Sequence, residues 1–211
     1  MKTLCLWGSV HSAAFFIQVR QLSTTSARQG CGAGPPRCLR HSHDAPDLCG
    51  SCSTTIHSTA EMSSLQISTP CGVITLKLRP DAAPTTVEYI SKLVASGVYD
   101  SATFYRSDFV IQCGLHPKPC PVPNLSVNET STNELISNTR GTASIAHWDV
   151  PDCGNSEFFI NLKSNPHLDT AYGGYCVFAV AEGAESETTM DRIAAEVTAK
   201  GVIKIDQMKL V

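Results

Sequence analysis

Hydrophobic and polar residues alternate along two short segments on either side of residue 70. The segments are Leu65–Ile67 and Gly72–Leu78, and the stretch between them contains Pro70 and Gly72. Alternation with a period of two is typical of strands with one buried face, and Pro and Gly favour turns. The pattern therefore predicts a β-hairpin.

Two other segments have the hydrophobic period of amphipathic helices. The first spans residues 81–97, with Pro84 suited to its first turn and Gly97 suited to its end. Its apolar residues share one face: Val87, Ile90, Leu93 and Val94. The second predicted helix covers Thr188–Ala199, and the polar stretch Glu182–Glu187 before it is predicted to be a loop. Two helices are therefore expected.

The remaining apolar runs are short, rich in β-branched and aromatic residues, and separated by turn-forming stretches. They are predicted strands: Asp108–Cys113, Gly141–Ala146, Glu157–Leu162, Tyr175–Ala181 and Gly201–Ile205. Strands and helices do not alternate as they do in parallel α/β folds, so the pattern favours an antiparallel sheet. Because closure removes exposed sheet edges, we expect a mainly β fold whose sheet closes on itself.

Composition divides the chain near Met62. Residues 1–61 contain five basic and three acidic side chains, with no acidic residue before Asp44, whereas residues 62–211 contain 11 basic and 16 acidic side chains. A basic, hydroxyl-rich start with few acidic residues is typical of an organelle import peptide. We therefore predict a disordered or cleaved targeting segment over residues 1–61, mitochondrial first and plastid second, followed by one domain over residues 62–211.

Other interpretations of the first 61 residues stay open. Met62 is followed by two serines, as at an ordinary protein start, which would make the preceding residues an untranslated extension and the protein cytoplasmic. A disordered tail and a secretory signal are further alternatives. The chain has a net charge of −3 and no apolar run near the roughly 18 residues of a membrane helix. We therefore expect neither nucleic-acid nor membrane binding.

Ten cysteines are the unusual feature of the composition, and five of them precede Met62. Cys49 and Cys52 have the Cys-x-x-Cys spacing of zinc or dithiol sites, but they lack the strand-to-helix context of a redox pair. A zinc or redox protein acting through this pair is kept as a separate hypothesis. The other five are expected to be buried reduced thiols, which favours a reducing compartment: Cys71, Cys113, Cys120, Cys153 and Cys176.

Three groups of motifs follow one another within the predicted domain. They are Phe104–Arg106 with Phe109–Gly114, then Asn138–Ala146, then Asn155–Leu162 with His167–Asp169 and Tyr175–Phe178. In order and spacing these motifs resemble the cyclophilin family of peptidyl-prolyl cis-trans isomerases. The resemblance implies a closed eight-stranded antiparallel β-barrel capped by two α-helices. It also implies a monomeric enzyme that assists protein folding without a metal or cofactor.

Rotation about an Xaa-Pro bond breaks no covalent bond, so it requires neither a nucleophile nor a metal. The uncatalysed rotation crosses a barrier of ~18–20 kcal/mol and takes roughly tens to hundreds of seconds. An acceleration of about 10⁴-fold corresponds to about 5–6 kcal/mol of transition-state stabilisation. In the twisted transition state the prolyl nitrogen loses resonance and becomes a hydrogen-bond acceptor. A rigid, permanently charged guanidinium can donate to it.

The resemblance assigns roles to individual residues. Arg106 is the catalytic arginine, and Gln112 hydrogen-bonds the substrate backbone. The proline ring is expected in an apolar socket: Phe109, Val110, Phe159, Leu168 and Tyr175. Ala146 and His147 line the groove that receives the residue before proline. The expected partners are proline-containing peptides and unfolded protein segments.

Several features depart from the family pattern. Phe109 follows Arg106 after three residues instead of five, so the connection between them is shorter. Glu157 replaces the usual Gln, His167 replaces the Trp of many eukaryotic members, and Tyr175 replaces their His. Both Glu157 and His167 are expected to contact substrate, and loss of the indole predicts weak cyclosporin binding. The short connection keeps an alternative open, a catalytically weak module that binds proline-containing peptides.

Overall fold

The structure is a computed structural model that describes residues 64–131 and 135–211. Its strands are β1 (Ser64–Thr69), β2 (Gly72–Leu78), β3 (Thr103–Ser107), β4 (Val110–Gly114), β5 (Thr142–Ile145), β6 (Phe158–Asn161), β7 (Val177–Glu182), β8 (Ile203–Lys204) and β9 (Gln207–Leu210). Its α-helices are α1 (Pro84–Ala95) and α2 (Gly183–Lys200). Within these ranges no helix has the length and apolar character needed to cross a membrane. The predicted targeting segment and the Cys49/Cys52 pair lie outside the described residues.

The strands form one curled antiparallel sheet in the order β8-β3-β4-β6-β5-β7-β2-β1-β9. The strands at the two ends of this order, β8 and β9, are joined by only Ile205 and Asp206. The Ile205 N–H donates to Ala102 O just before β3 (3.0 Å), and the Asp206 N–H donates to Ser68 O in β1 (2.9 Å). The two-residue link between β8 and β9 is therefore hydrogen-bonded to the residue before β3 on one side and to β1 on the other.

The predictions of a mainly β fold, an antiparallel sheet and two helices are confirmed, but the strand count differs. The described residues contain nine strands, because the closing strand predicted to start with Gly201–Ile205 is divided into β8 and β9. Ile205 is fully buried, and its N–H bonds to Ala102 outside the strand ladder, so the chain changes direction there. The predicted hairpin is present, with Thr69 of β1 opposite Gly72 of β2.

The main hydrophobic core lies between one face of the sheet and the two helices. Alternate residues of β1 and β2 are fully buried in it, as their periodicity predicts: Leu65, Ile67, Ile74 and Leu76. Phe158 packs edge-on against Phe178 with ring centroids 5.6 Å apart, and Phe104 belongs to the same cluster. The helices contribute Ile90, Leu93, Val94, Met190, Ile193 and Val197. Each such side chain stabilises the fold by about 1.5–3 kcal/mol when fully buried.

Helix α1 agrees with its prediction, and helix α2 begins earlier than predicted. Gly97, whose φ of 72° is left-handed, follows the end of α1. The prediction of a loop over Glu182–Glu187 is wrong, because α2 starts at Gly183. The buried side of this first turn is polar, since the Ser186 hydroxyl accepts a hydrogen bond from the Thr75 N–H at 3.0 Å. The first turn of α2 is therefore held to β2 by a hydrogen bond, whereas the rest of the helix is held by apolar contacts. The hydrophobic periodicity does not extend into this turn for that reason.

The five cysteines in the described residues are free thiols. Only Cys113 and Cys176 are buried, so the prediction of buried thiols is wrong for the half-buried Cys71, Cys120 and Cys153. Burial raises the pKa of the Cys113 thiol and raises that of Cys176 to about 11. Both buried thiols are therefore protonated at neutral pH and poorly nucleophilic.

The N-terminus of α1 is capped by a carboxylate from a distant loop. Ala83, which precedes the helix, supplies no side-chain acceptor. Glu129 is buried and accepts hydrogen bonds from the N–H groups of Thr85 (3.0 Å) and Thr86 (2.8 Å) and from the Thr86 hydroxyl (2.7 Å). Burial alone would raise the pKa of the Glu129 carboxyl, but these hydrogen bonds outweigh it and hold the pKa below its usual value.

Glu129→Gln is expected to lower the free energy of unfolding by about 1–3 kcal/mol at pH 7, because buried donors lose their carboxylate acceptor. The folded-state pKa lies below the unfolded value, so this contribution is present above the unfolded pKa and is lost as the pH falls toward the folded pKa. Denaturant titrations at several pH values should therefore show the difference between wild type and variant shrinking in acid.

The matched control is Glu88→Gln, since Glu88 is an exposed residue of α1 paired with Lys92 at 2.6 Å. It should change the free energy of unfolding by less than about 0.5 kcal/mol. Equal losses for the two variants at pH 7 would contradict the capping role of Glu129.

Candidate active site

Strands β4 and β6 are buried on both faces over most of their length. Ile111 and Phe158 belong to the main core, whereas their sequence neighbours Val110 and Phe159 belong to a second cluster. Because adjacent residues of a strand point to opposite faces, this second cluster lies on the outer face of the sheet. Its members are Val110, Phe159 and Leu168, with Phe109, Ala146 and Tyr175 packed against them.

A cavity of about 780 Å³ lies over this outer cluster. Its size is typical of a small-ligand site. All the site residues nominated from the sequence line it: Arg106, Phe109, Val110, Gln112, Ala146, His147, Glu157, Phe159, His167, Leu168 and Tyr175. The fold thus brings together side chains from β3, β4, β6 and three loops. Within the described ranges, no group of three or more His, Cys, Asp or Glu side chains could hold a metal ion.

A register shift in β3 determines the face of the sheet on which Arg106 lies. Phe104 pairs with Cys113 and Arg106 pairs with Gln112, so two steps along β3 correspond to one step along β4. Without this β-bulge, Arg106 would share the inner face with Phe104, because residues two apart in a strand point the same way. With it, Arg106 lies opposite Gln112 and lines the outer cavity.

The Arg106 guanidinium is held by a carboxylate, an amide and an aromatic ring. Its Nε and Nη2 donate to Asp108 Oδ2 at 2.9 and 2.7 Å, and its Nη1 donates to Gln112 Oε1 at 3.1 Å. Its Cζ lies 5.4 Å from the centroid of the Phe109 ring, a cation–π distance. These bonds use three of the five guanidinium N–H groups, so two have no protein partner among the described residues. The short connection thus supplies the carboxylate that fixes Arg106.

Further hydrogen bonds extend from Gln112 to the loop after β4. Gln112 Nε2 donates to the Tyr105 hydroxyl at 2.6 Å, and this hydroxyl donates to Glu157 Oε2 at 2.8 Å. Glu157 Oε1 accepts from the backbone N–H groups of Leu115 (2.7 Å) and His116 (3.1 Å). Glu157 therefore lines the cavity with a carboxylate that protein donors already engage.

The Glu157 carboxylate lies directly against the backbone of Gly114. Gly114 ends β4 beside it, and a Cβ atom on Gly114 would lie 2.2 Å from Glu157 Cδ. Burial, with the hydrogen bond to Glu157 second in importance, raises the pKa of Tyr105, so its hydroxyl keeps its proton. The last position of β4 thus requires glycine for the Glu157 carboxylate to lie where it does.

Aromatic rings form another wall of the cavity. Tyr175 packs edge-on against Phe159 with ring centroids 5.5 Å apart, and it stacks on His147 at 4.3 Å. The two ring nitrogens of His147 lie 2.7 Å from Trp148 O and 2.9 Å from Gly174 O. His147 therefore ties together the two loops that flank the socket. Burial raises the pKa of Tyr175, so the hydroxyl at the mouth of the socket is protonated.

The loop that contributes His167 and Leu168 is held by polar contacts beneath the socket. Asp169 Oδ1 accepts from the backbone N–H of Asn138 at 2.7 Å and from its side-chain amide at 2.9 Å. Burial alone would raise the pKa of Asp169, but the hydrogen bonds lower it to below its usual value. This anchor places Leu168 in the socket and His167 edge-on to Phe109, with ring centroids 5.8 Å apart.

The other half of the residues that line the cavity are not predicted as site residues from the sequence: Tyr105, His116, Lys118, Pro119, Cys120, Trp148, Asp149, Asn155, Ser156, Ala171 and Tyr172. Most of these residues are on loops whose paths depend on the folded chain. Trp148 is 82% exposed and Tyr172 is 62% exposed. The one sequence signal that could have identified this part of the lining is the presence of large aromatic residues, Trp148 and Tyr172, in otherwise polar loops.

The fold and the cavity together define a class of site. An apolar socket on the outer face of an antiparallel sheet can receive an apolar group, and a fixed guanidinium that also lines the cavity can donate hydrogen bonds beside it. Such a site suits a reaction driven by differential binding.

Comparisons with known proteins identify the family. The family model described as cyclophilin type peptidyl-prolyl cis-trans isomerase/CLD matches residues 64–210. The chain is 36% identical over 131 residues to a peptidyl-prolyl cis-trans isomerase of Streptomyces antibioticus, covering 58% of this chain and 79% of that protein. It is 30% identical over 146 residues to peptidyl-prolyl cis-trans isomerase B of Escherichia coli K12, covering 65% and 88%.

A solved structure agrees with the fold. The crystal structure of a Cryptosporidium parvum cyclophilin type peptidyl-prolyl cis-trans isomerase in the presence of the dipeptide Ala-Pro has a TM-score of 0.56 and 23% identity, covering 70% of this chain and 98% of that one. The chain belongs to the cyclophilin-type family of peptidyl-prolyl cis-trans isomerases, enzymes that accelerate rotation about Xaa-Pro bonds. The resemblance stated from the sequence motifs is confirmed.

Proposed function

We propose that Arg106 catalyses the isomerisation of Xaa-Pro bonds in peptides and unfolded protein segments bound in this cavity. The supporting observation is that Asp108 and Gln112 hold its guanidinium over the Phe109 ring while two N–H groups are left for a ligand. The prolyl nitrogen accepts a hydrogen bond only when the amide is twisted, so donation to it favours the transition state. One preorganised donor contributes about 2.7–4 kcal/mol in comparable sites, a large share of the 5–6 kcal/mol required.

The remaining substrate contacts are proposed for residues that line the same cavity. The proline ring occupies the apolar socket: Phe109, Val110, Phe159, Leu168 and Tyr175. Gln112 has one side-chain N–H left after its bond to Tyr105, and it donates this N–H to a substrate carbonyl. Ala146 and His147 receive the residue before proline, and Glu157 and His167 border the bound peptide.

A catalytically weak module that binds proline-containing peptides is the second candidate, and Asp108 favours it. The carboxylate accepts two of the guanidinium N–H groups and offsets part of the positive charge that faces a ligand. An arginine engaged in this way still binds a peptide carbonyl but stabilises the twisted nitrogen less. The two candidates therefore differ in kcat and agree in peptide affinity.

Arg106→Ala is expected to lower kcat/KM for a proline-containing peptide by about 10²–10³-fold, as loss of one preorganised donor does elsewhere. The peptide Kd should change by less than about threefold, because the socket is intact and the lost bond forms mainly in the transition state. An NMR exchange assay gives the rate, and a fluorescence titration gives the affinity.

Arg192→Ala is the control, since Arg192 is an exposed arginine of α2, and it should leave both quantities unchanged. Equal losses of rate and affinity in Arg106→Ala would contradict a transition-state role. Wild-type protein that binds peptide without turnover would support the second candidate.

We propose weak cyclosporin binding, in the micromolar range, because His167 stands where many family members have Trp. The smaller imidazole packs edge-on against Phe109 and presents less apolar surface than an indole. His167→Trp is therefore expected to tighten inhibition of the isomerase by about tenfold, or ~1.4 kcal/mol. His116→Trp, at a different part of the cavity lining, is the control and should not tighten it. Nanomolar inhibition of the wild type would refute this proposal.

We infer that the sheet closes into a barrel and that the protein is a monomer. The closure is supported by the two-residue link between β8 and β9, which are the end strands of the sheet order. Counting residues 203–210 as one bent strand would give the eight strands expected for the family. A closed sheet has no free edge for a second chain to pair with, which supports the monomer.

We propose import into mitochondria, supported by the basic, acid-poor composition of residues 1–61. Expression of the full chain with a C-terminal tag, followed by cell fractionation and sequencing of the mature N-terminus, should give a mitochondrial protein that starts downstream of Cys52. That start would also exclude a zinc or redox function at Cys49 and Cys52. A plastid protein, or a cytosolic protein that starts at Met62, would support one of the alternatives instead.

A further inference from the structure

The direction of the hydrogen bonds around Gln112 is determined at one end, by Glu157. A carboxylate only accepts hydrogen bonds, and Glu157 Oε2 lies 2.8 Å from the Tyr105 hydroxyl. Tyr105 has a single proton, so it donates that proton to Glu157. Toward Gln112, 2.6 Å away, the hydroxyl oxygen can therefore only accept.

This direction excludes one of the two orientations of the Gln112 amide. If the amide were flipped, its oxygen would face the Tyr105 oxygen with no proton between them. Its NH₂ group would then face the N–H of Arg106 Nη1, which now donates to Gln112 Oε1 at 3.1 Å. The Tyr105 oxygen needs a donor from Gln112, and the Arg106 Nη1–H needs an acceptor. Both contacts are made only when Nε2 of Gln112 lies toward Tyr105 and Oε1 lies toward Arg106.

We propose that Tyr105 and Glu157 are positioning residues that hold the Gln112 amide in the orientation required by Arg106. With this orientation, one Arg106 N–H is held by Gln112 and the two unengaged N–H groups keep their direction toward the ligand. The orientation also keeps a donor N–H of Gln112, not its carbonyl, available to substrate. The inference rests on the proposed role of Arg106 and adds two residues that act through it.

Glu157 suits this role because its own carboxylate is fixed. The N–H groups of Leu115 and His116 hold Oε1, and Gly114 leaves room for the carboxylate beside the backbone. In Glu157→Gln the same two N–H groups would retain the carbonyl oxygen, so the new NH₂ would take the place of Oε2 and donate to Tyr105. The substitution is nearly isosteric, so its main effect is on the Tyr105 hydroxyl. That hydroxyl no longer has to donate its proton to residue 157, and the orientation of the Gln112 amide is no longer determined.

A double-mutant cycle tests the proposal. Tyr105→Phe and Glu157→Gln are each expected to lower kcat by about 3–10-fold, with peptide Kd within about twofold of wild type. The double variant should be no slower than Tyr105→Phe alone, because the nearly isosteric glutamine side chain at position 157 still borders the peptide and the effect of Glu157→Gln on kcat passes through the Tyr105 hydroxyl. Glu88→Gln, an exposed substitution on α1, is the control and should keep the wild-type kcat. Thermal unfolding of every variant shows whether a loss of kcat reflects a loss of fold.

A second measurement distinguishes this proposal from the proposed function. In NMR spectra of the wild type, the signals of the Gln112 side-chain NH₂ and of the Arg106 Nη1–H that donates to Gln112 Oε1 should be resolved and protected from exchange, and both should shift and lose protection in Glu157→Gln. This measurement needs no turnover, so it decides the orientation of the amide even if the wild type proves inactive. Unchanged signals in Glu157→Gln would overturn the proposal. In an active wild type, unchanged kcat or additive losses in the double variant would also overturn it.

Discussion

The site depends on a shift of one residue between β3 and β4. Phe104 belongs to the core, and regular alternation would place Arg106 in the same core two residues later. A buried guanidinium without a partner would cost several kcal/mol, so the fold requires either another residue at this position or a change of register. The β-bulge changes the register, and the guanidinium reaches the outer cavity without disturbing the inner packing. It also places Tyr105 where its hydroxyl reaches Gln112 and Glu157.

The socket is built on strands that are packed on both sides. Phe158 and Ile160 of β6 fill the main core, while Phe159 between them forms the floor of the cavity. A floor supported by a close-packed core moves little, which matters for an enzyme that acts by differential binding. The polar contacts of Asp169 with Asn138 give the same support to the loop that carries Leu168.

Two carboxylates lie at the ends of one line of polar side chains. Asp108 holds the guanidinium of Arg106, and Glu157 sets the direction of the hydrogen bonds that reach it through Tyr105 and Gln112. Asp108 acts on the guanidinium through its negative charge. Glu157 acts because its carboxylate has no proton to donate, so the Tyr105 hydroxyl must donate to it. Both belong to features in which this chain departs from its family, the short connection after Arg106 and the acid in place of Gln. These two departures therefore alter how the arginine is held.

The amino-acid sequence by itself determined the elements whose burial is local and periodic, which are the β1–β2 hairpin, helix α1 and the apolar part of α2. Its motifs also identified the family and eleven residues that line one cavity. Only the tertiary structure decided the features that depend on partners distant in sequence. These are the nine-stranded order of the sheet over residues 64–210, the hydrogen bond of the first turn of α2 to Thr75, the Glu129 cap of α1, and the face on which Arg106 lies. Hydrophobic periodicity reports one buried face of one element, whereas strand register and long-range hydrogen bonds are properties of pairs of elements, so they exist only once the chain has folded.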